Sequence, residues 1–168
     1  MSVALQPERL ADRRPQPLRP TLGDFNSIVC FRAAVAGIEE TLGAHAALIA
    51  LSAAGRIRGR ELVASLHLST GVDLQAAARA MQAALGAEGT RLCVLESIEE
   101  CGDKIRVTVS ETVCMAGEAP GSERRCSFTL GAVHGALEAL TGRLLKGRHT
   151  ESPVAGDPAD VFEFEDRI

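Results

Sequence analysis

"RLCVLESIEECGDKIRVTVSETVC", residues 91–114, alternates apolar and polar side chains on either side of Gly102-Asp103. Alternation with period two marks a half-buried strand, and a tight Gly-containing turn between two such runs marks a β-hairpin. With Cys101 opposite Lys104, Glu99 falls opposite Arg106, Ile98 opposite Val107 and Glu96 opposite Val109. One face then carries Leu92, Val94, Ile98, Ile105, Val107, Val109 and Val113, and the other Ser97, Glu99, Lys104, Arg106, Thr108, Ser110 and Thr112. This register sets Glu96 and Glu111 close together on the apolar face. Two carboxylates so placed would raise each other's pKa, as a general acid requires. A bulge, a wet sheet edge or a pairing with Arg91 or Arg106 would instead leave them ordinary.

Outward from the hairpin the period changes. On its N-terminal side, 23–43 predicts a helix with Asp24 as N-cap and Gly43 just past its end, carrying Ile28, Phe31, Val35, Ile38 and Leu42 at helical spacing. A second helix runs from 44 to about Leu66; its first half is small and apolar, as for a helix buried on more than one side. Gly55 and Gly59, one turn apart, invite another backbone, and Arg56 and Arg60 are expected to reach solvent. A third helix is capped by Asp73 and stops near Gly86. On the other side, 115–123 is a loop, 126–140 a helix stopped by Gly142, and 143–151 and 160–166 two strands, with Phe162 and Phe164 alternating with Glu163 and Glu165. The expected architecture is α+β: a four-stranded antiparallel sheet with about four helices on its inner face, in one domain over 23–168. Residues 1–22 hold four of the seven prolines and four arginines and read as a flexible arm.

"CSFTLGAVHGALEALTG", 126–142, raises the functional question. On a helical wheel Leu130, Val133, Leu137 and Leu140 cluster around Cys126, His134 sits at the edge, and Gly131, Gly135 and Ala139 occupy the opposite side. Glycine costs about 1 kcal/mol in a helix interior relative to alanine, so two of them point to a close approach on that side. Helix 1 or 2 would meet this need, and so would a flat apolar ligand. The candidate contact residues are Cys30, Phe31, Cys126, Leu130, His134 and Leu137. Cys126 and His134 are about 12 Å apart along the axis and cannot share one metal ion.

Composition narrows the classes. The chain has 168 residues, 46% hydrophobic against 24% charged, which suits a globular domain with a real core. It has five Phe, no Tyr and no Trp, a poor stock for base stacking, and a net charge of −4 with no basic stripe, so no nucleic-acid partner is expected. No run approaches the length of a membrane span. The five cysteines form no CxxC pair, and the N-terminus has no signal-peptide core, which predicts reduced thiols and a cytoplasmic location. GxGxxG after a strand, GxxxxGK[ST] and GxSxG are absent, so no cofactor is expected.

"RRCSFTLGAVHGALEALTGRLLKGRHTESPVAGDPADVFEF", 124–164, resembles the C-terminal half of the 4-vinyl reductase domain family, which shares its fold with subunits of the TRAPP vesicle-tethering complex. Cys126, Gly131, Gly135, Gly156, Asp157 and Phe162 match its pattern, and "RVTVSE" and "AGRIRGREL" extend the likeness over about 24–165. The resemblance implies a TRAPP-subunit-like module that binds an apolar small molecule, a tetrapyrrole or hydrocarbon, and forms homodimers through its helices. Its alternatives are an accessory subunit or enzyme of (bacterio)chlorophyll metabolism, with Glu96, Glu111 or His134 as acid, and a homodimeric adaptor without a ligand. The family usually carries two cysteines flanking the Gly-Asp turn, suspected of binding metal. Ser152 and Asp160 stand in those places here, so a thiolate zinc site is not expected, and Cys126, His149 and Asp160 remain as the only metal candidates.

Overall fold

The computed structural model describes residues 19–21 and 27–167. Among the described residues, four α-helices and four strands follow in the order α1 (Ile28–Leu42), α2 (Ala44–Ser65), α3 (Leu74–Leu85), β1 (Val94–Cys101), β2 (Lys104–Ser110), α4 (Ser127–Thr141), β3 (Leu145–Glu151) and β4 (Asp160–Asp166), with a short 3-10 turn at Pro153–Ala155. The strands form one antiparallel sheet in the order β1-β2-β4-β3. The expected α+β architecture is therefore present. Most of residues 1–22, and Asp24, lie outside the described residues. α1 nevertheless begins at Ile28, and the hydroxyl of Ser27, not Asp24, caps it by accepting from the Val29 amide at 3.2 Å. A serine directly before the first helical residue can reach those free amides; a residue three positions earlier cannot. Asp73 caps α3 as predicted, accepting from the Ala76 amide at 2.9 Å.

The hairpin keeps the expected register from Cys101↔Lys104 to Ser97↔Thr108 and then departs from it. A bulge between Leu95 and Ser97 adds one residue, so Leu95 faces Val109 in place of Glu96. The extra residue reverses the alternation beyond it. Leu95 enters the core, Glu96 turns to solvent, and Val94, expected inside, is 37% exposed. Glu111 lies past the end of β2, exposed, at φ 49°. The paired-carboxylate expectation is thus corrected: burying leucine is favourable where burying a carboxylate is costly, and the bulge makes that exchange.

The inner face of the sheet carries Leu95, Ile98, Ile105, Val107, Val109, Phe162 and Phe164, packed against Leu62, Val63, Ala77, Met81, Leu85, Val133, Leu137 and Leu140 of α2, α3 and α4. Its outer face is held by cross-strand ion pairs: Lys104–Glu163 at 3.2 Å, Arg106–Glu151 at 2.6 Å and Arg106–Glu163 at 3.5 Å. α4 is buried on two sides. Its aliphatic stripe meets the sheet, and its small side meets α2 backbone to backbone. A Cβ on Gly59 would lie 2.0 Å from the Ala132 carbonyl oxygen, and one on Gly135 2.2 Å from the Arg56 carbonyl oxygen; Gly55 and Gly131 are equally confined. The close approach predicted for this face is therefore with α2.

Candidate functional site

α1, α2, α4 and the connection from α3 into β1 leave a cavity of about 600 Å³ between them. Ser27, Ile28 and Phe31 at the start of α1 form one wall, and Phe128 from the first turn of α4 another. Phe31 and Phe128 meet edge to face, ring centroids 5.4 Å apart. Leu92 and Val113 close the floor, tied together by the Val113 amide donating to the Leu92 carbonyl at 3.0 Å. Gly89, Thr90, Arg91 and Arg58 complete the rim. The chain can turn there because residue 89 is glycine: a Cβ would lie 1.9 Å from the Ala84 carbonyl oxygen. The Thr90 and Leu92 amides then donate to the Ala84 and Leu85 carbonyls at 2.8 Å each, which holds the rim against the end of α3. An apolar concavity with a few polar groups at its edge is the usual form of a small-molecule site.

Of the six candidate contact residues, Phe31 lines this cavity. Cys30 is exposed on α1, Leu130 packs beside Gly147 of β3, and Leu137 is wholly buried beneath the sheet. His134 pins α4 to β3. Its Nε2 lies 2.8 Å from the Leu145 carbonyl oxygen and 3.3 Å from Glu138 Oε1, and its ring packs on Phe164. Burial lowers its pKa, so the ring is neutral and Nε2–H donates to Leu145. Arg56, expected in solvent, instead reaches Glu138 at 2.5 Å. Burial raises the Glu138 pKa, but Arg56, the Leu145 amide and His134 together hold it below its ordinary value. The cavity residues that sequence reasoning did not name are Ser27, Arg58, Gly89, Thr90 and Phe128. Arg58, between two flagged arginines in "GRIRGR", offered the one available signal.

A second, polar cluster lies buried under the N-terminus of α4. Asp160 accepts from Thr112 Oγ1 at 3.0 Å, Ser152 Oγ at 2.8 Å and His149 Nε2 at 2.9 Å. The Cys126 amide points at His149 Nδ1 from 3.4 Å. Nδ1 accepts and Nε2 donates, so both ring nitrogens are occupied. The structure thus brings Cys126, His149 and Asp160 together, but as a hydrogen-bonded set in which His149 has no lone pair left for an ion. Among the described residues no three His, Cys, Asp or Glu side chains converge as a metal would need. These residues do not fit a metal. Beside them Cys114 meets Thr129, whose hydroxyl is 3.3 Å from its sulfur and whose amide donates at 3.5 Å. A hydrogen bond from Cys126 and those from Thr129 lower the Cys114 pKa to about 6 against the effect of burial, whereas burial pushes Cys126 well up. All five cysteines are free thiols.

No family model and no curated protein matches the sequence. Solved structures do. The phenol-responsive sensory domain of the transcription activator PoxR, solved with phenol, superposes with a TM-score of 0.67 at 14% identity, covering 85% of this chain and 76% of that one. A trafficking protein particle complex subunit 3 from Naegleria fowleri, covalently bound to palmitic acid, superposes at 0.58 with 13% identity, covering 84% of this chain and 93% of that one. The fold is TRAPP-subunit-like. At these identities the likeness fixes the fold alone. Among the described residues no helix is long and apolar enough to cross a membrane.

Proposed function

We propose that this chain is a ligand-binding module that takes an apolar small molecule into the cavity between α1, α4 and residues 89–92. The observation that carries this reading is the cavity itself: about 600 Å³, walled by Ile28, Phe31, Leu92, Val113 and Phe128. Both structural neighbours hold a guest with an apolar body, phenol in one and palmitic acid in the other, which supports the class of ligand without identifying it. The resemblance to 4-vinyl reductase domains points the same way, and the alternative of an enzyme or subunit in tetrapyrrole metabolism rests on that resemblance alone. Five free thiols suit a reducing, cytoplasmic setting.

The test is a fluorescence titration of the full chain with the neutral probe N-phenyl-1-naphthylamine. The chain has no Trp or Tyr, so the probe dominates the signal. Saturable binding at one probe per chain is expected, and Val113→Phe, which fills the floor of the cavity, should weaken it about tenfold, the equivalent of about 1.4 kcal/mol. Non-saturable binding, or binding indifferent to that substitution, overturns the assignment.

A second reading, self-association, draws on a different observation. α1 buries only Val35, while Val29 and Leu42 of α1 and Leu48, Ile49 and Ile57 of α2 are exposed. An apolar surface of this kind suits a homodimer joined through its helices.

A further inference from the structure

Among the described residues, the ten that line the cavity include Arg58 and Arg91 and no Asp or Glu, in a chain whose net charge is −4. Arg91 donates from Nε to the Ala87 carbonyl at 3.2 Å, which holds its side chain along the end of α3. Arg58 is different. It is half-buried on α2, and among the described residues its side chain has no hydrogen bond or ion pair, although nearby Arg56 is matched with Glu138. Half-burying a guanidinium without a partner is unfavourable, and its five donors form a planar fork that suits a carboxylate or sulfonate. The flanking walls are apolar, so an anion that reaches Arg58 must carry a hydrocarbon or aromatic body behind it.

We propose that the ligand is an amphipathic organic anion: an apolar body that fills the space between Phe31, Leu92, Val113 and Phe128, and a single carboxylate- or sulfonate-type head received by Arg58. This rests on reading the cavity as the binding site, and it adds the sign of the ligand's charge and the residue that reads it. Charge-assisted hydrogen bonds are roughly twice as strong as neutral ones, so Arg58 separates anions from neutral molecules of the same shape.

Two probes that differ only in a sulfonate test this: 1-anilinonaphthalene-8-sulfonate and N-phenyl-1-naphthylamine. The full chain carries Ile28→Trp as reporter, a single indole in the wall of the cavity, so that quenching at residue 28 places each probe there. The sulfonate is expected to bind about tenfold more tightly than the neutral probe, the scale of one hydrogen bond to a charged group. Arg58→Gln should remove that preference by weakening the sulfonate about tenfold while moving the neutral probe less than about twofold. Arg58→Lys, which keeps the charge and loses the fork, should fall between the two and guards against a folding defect in the glutamine variant. Equal affinity for both probes in the reporter chain, or a loss shared equally by both in Arg58→Gln, overturns the anion assignment and leaves the cavity reading standing. Failure of both probes to quench residue 28 overturns both.

Discussion

Cys93 sits directly after Leu92 of the cavity floor and is 3% exposed. Burial first, then the nearby Cys114 and Asp160, push its pKa from an ordinary 9.0 up to about 12. The unfolded chain releases this proton near pH 9 and the folded chain holds it until about 12. Folding therefore binds an extra proton across that window. The stability contributed is complete below pH 9 and is lost as the pH rises towards 12. The urea midpoint should fall across this range, and Cys93→Ala, although less stable at neutral pH, should show a shallower fall. Parallel slopes for the two proteins would remove Cys93 from the account. The same locality shows how one side chain changes its meaning with its surroundings. Asp160 was legible in the sequence only as a metal candidate. In the fold it is an acceptor for three donors, because Thr112, expected on the polar face of the hairpin, lies just past β2 and is buried against it together with Ser152, just past β3, and His149.

At the scale of elements, the seam between α2 and α4 has the least room. Adding a methyl group at Gly59 would drive it into the Ala132 carbonyl, so the helices must separate or bend. Gly59→Ala should cost about 1–3 kcal/mol in a urea melt, against a gain of up to about 1 kcal/mol for the same change at an open helical site. Gly37, in mid-α1, is that open site: a methyl group there would have nothing within 4 Å. Opposite signs at the two positions are expected; equal effects would deny the seam its tightness. Much of this level was legible beforehand. The two halves of the hairpin, the caps at Asp73 and Gly142, the paired glycines of α2 and the two-sided character of α4 all follow from local pattern, because each is decided by residues within a few positions of one another. The bulge at Glu96 was not legible, since "VLES" alternates acceptably in either register and only the depth of the core selects Leu95. Nor was the cavity, whose walls come from five separated stretches of chain that meet only in the folded domain.

For the molecule as a whole, the exposed side chains of α1 and α2 set the expected behaviour in solution. Covering Val29, Leu42, Leu48, Ile49 and Ile57 with the same surface of a second copy would remove apolar area from water on both. Light scattering at micromolar concentration should return twice the chain mass, and Ile49→Glu with Ile57→Glu should return the single chain with its helical content intact. A monomer before substitution would end the dimer reading and leave the cavity unaffected.

The strand order β1-β2-β4-β3 leaves two strands with an unpaired margin, and β1 is one of them. An open margin is a template on which another chain can lay down its own backbone, strand upon strand, towards fibres. The kink at Glu96 breaks that template within its length, and the carboxylates of Glu96, Glu99 and Glu100 crowd it with like charge. The residue that spoils the regular alternation of the hairpin thus also blunts the β1 margin against a fifth strand.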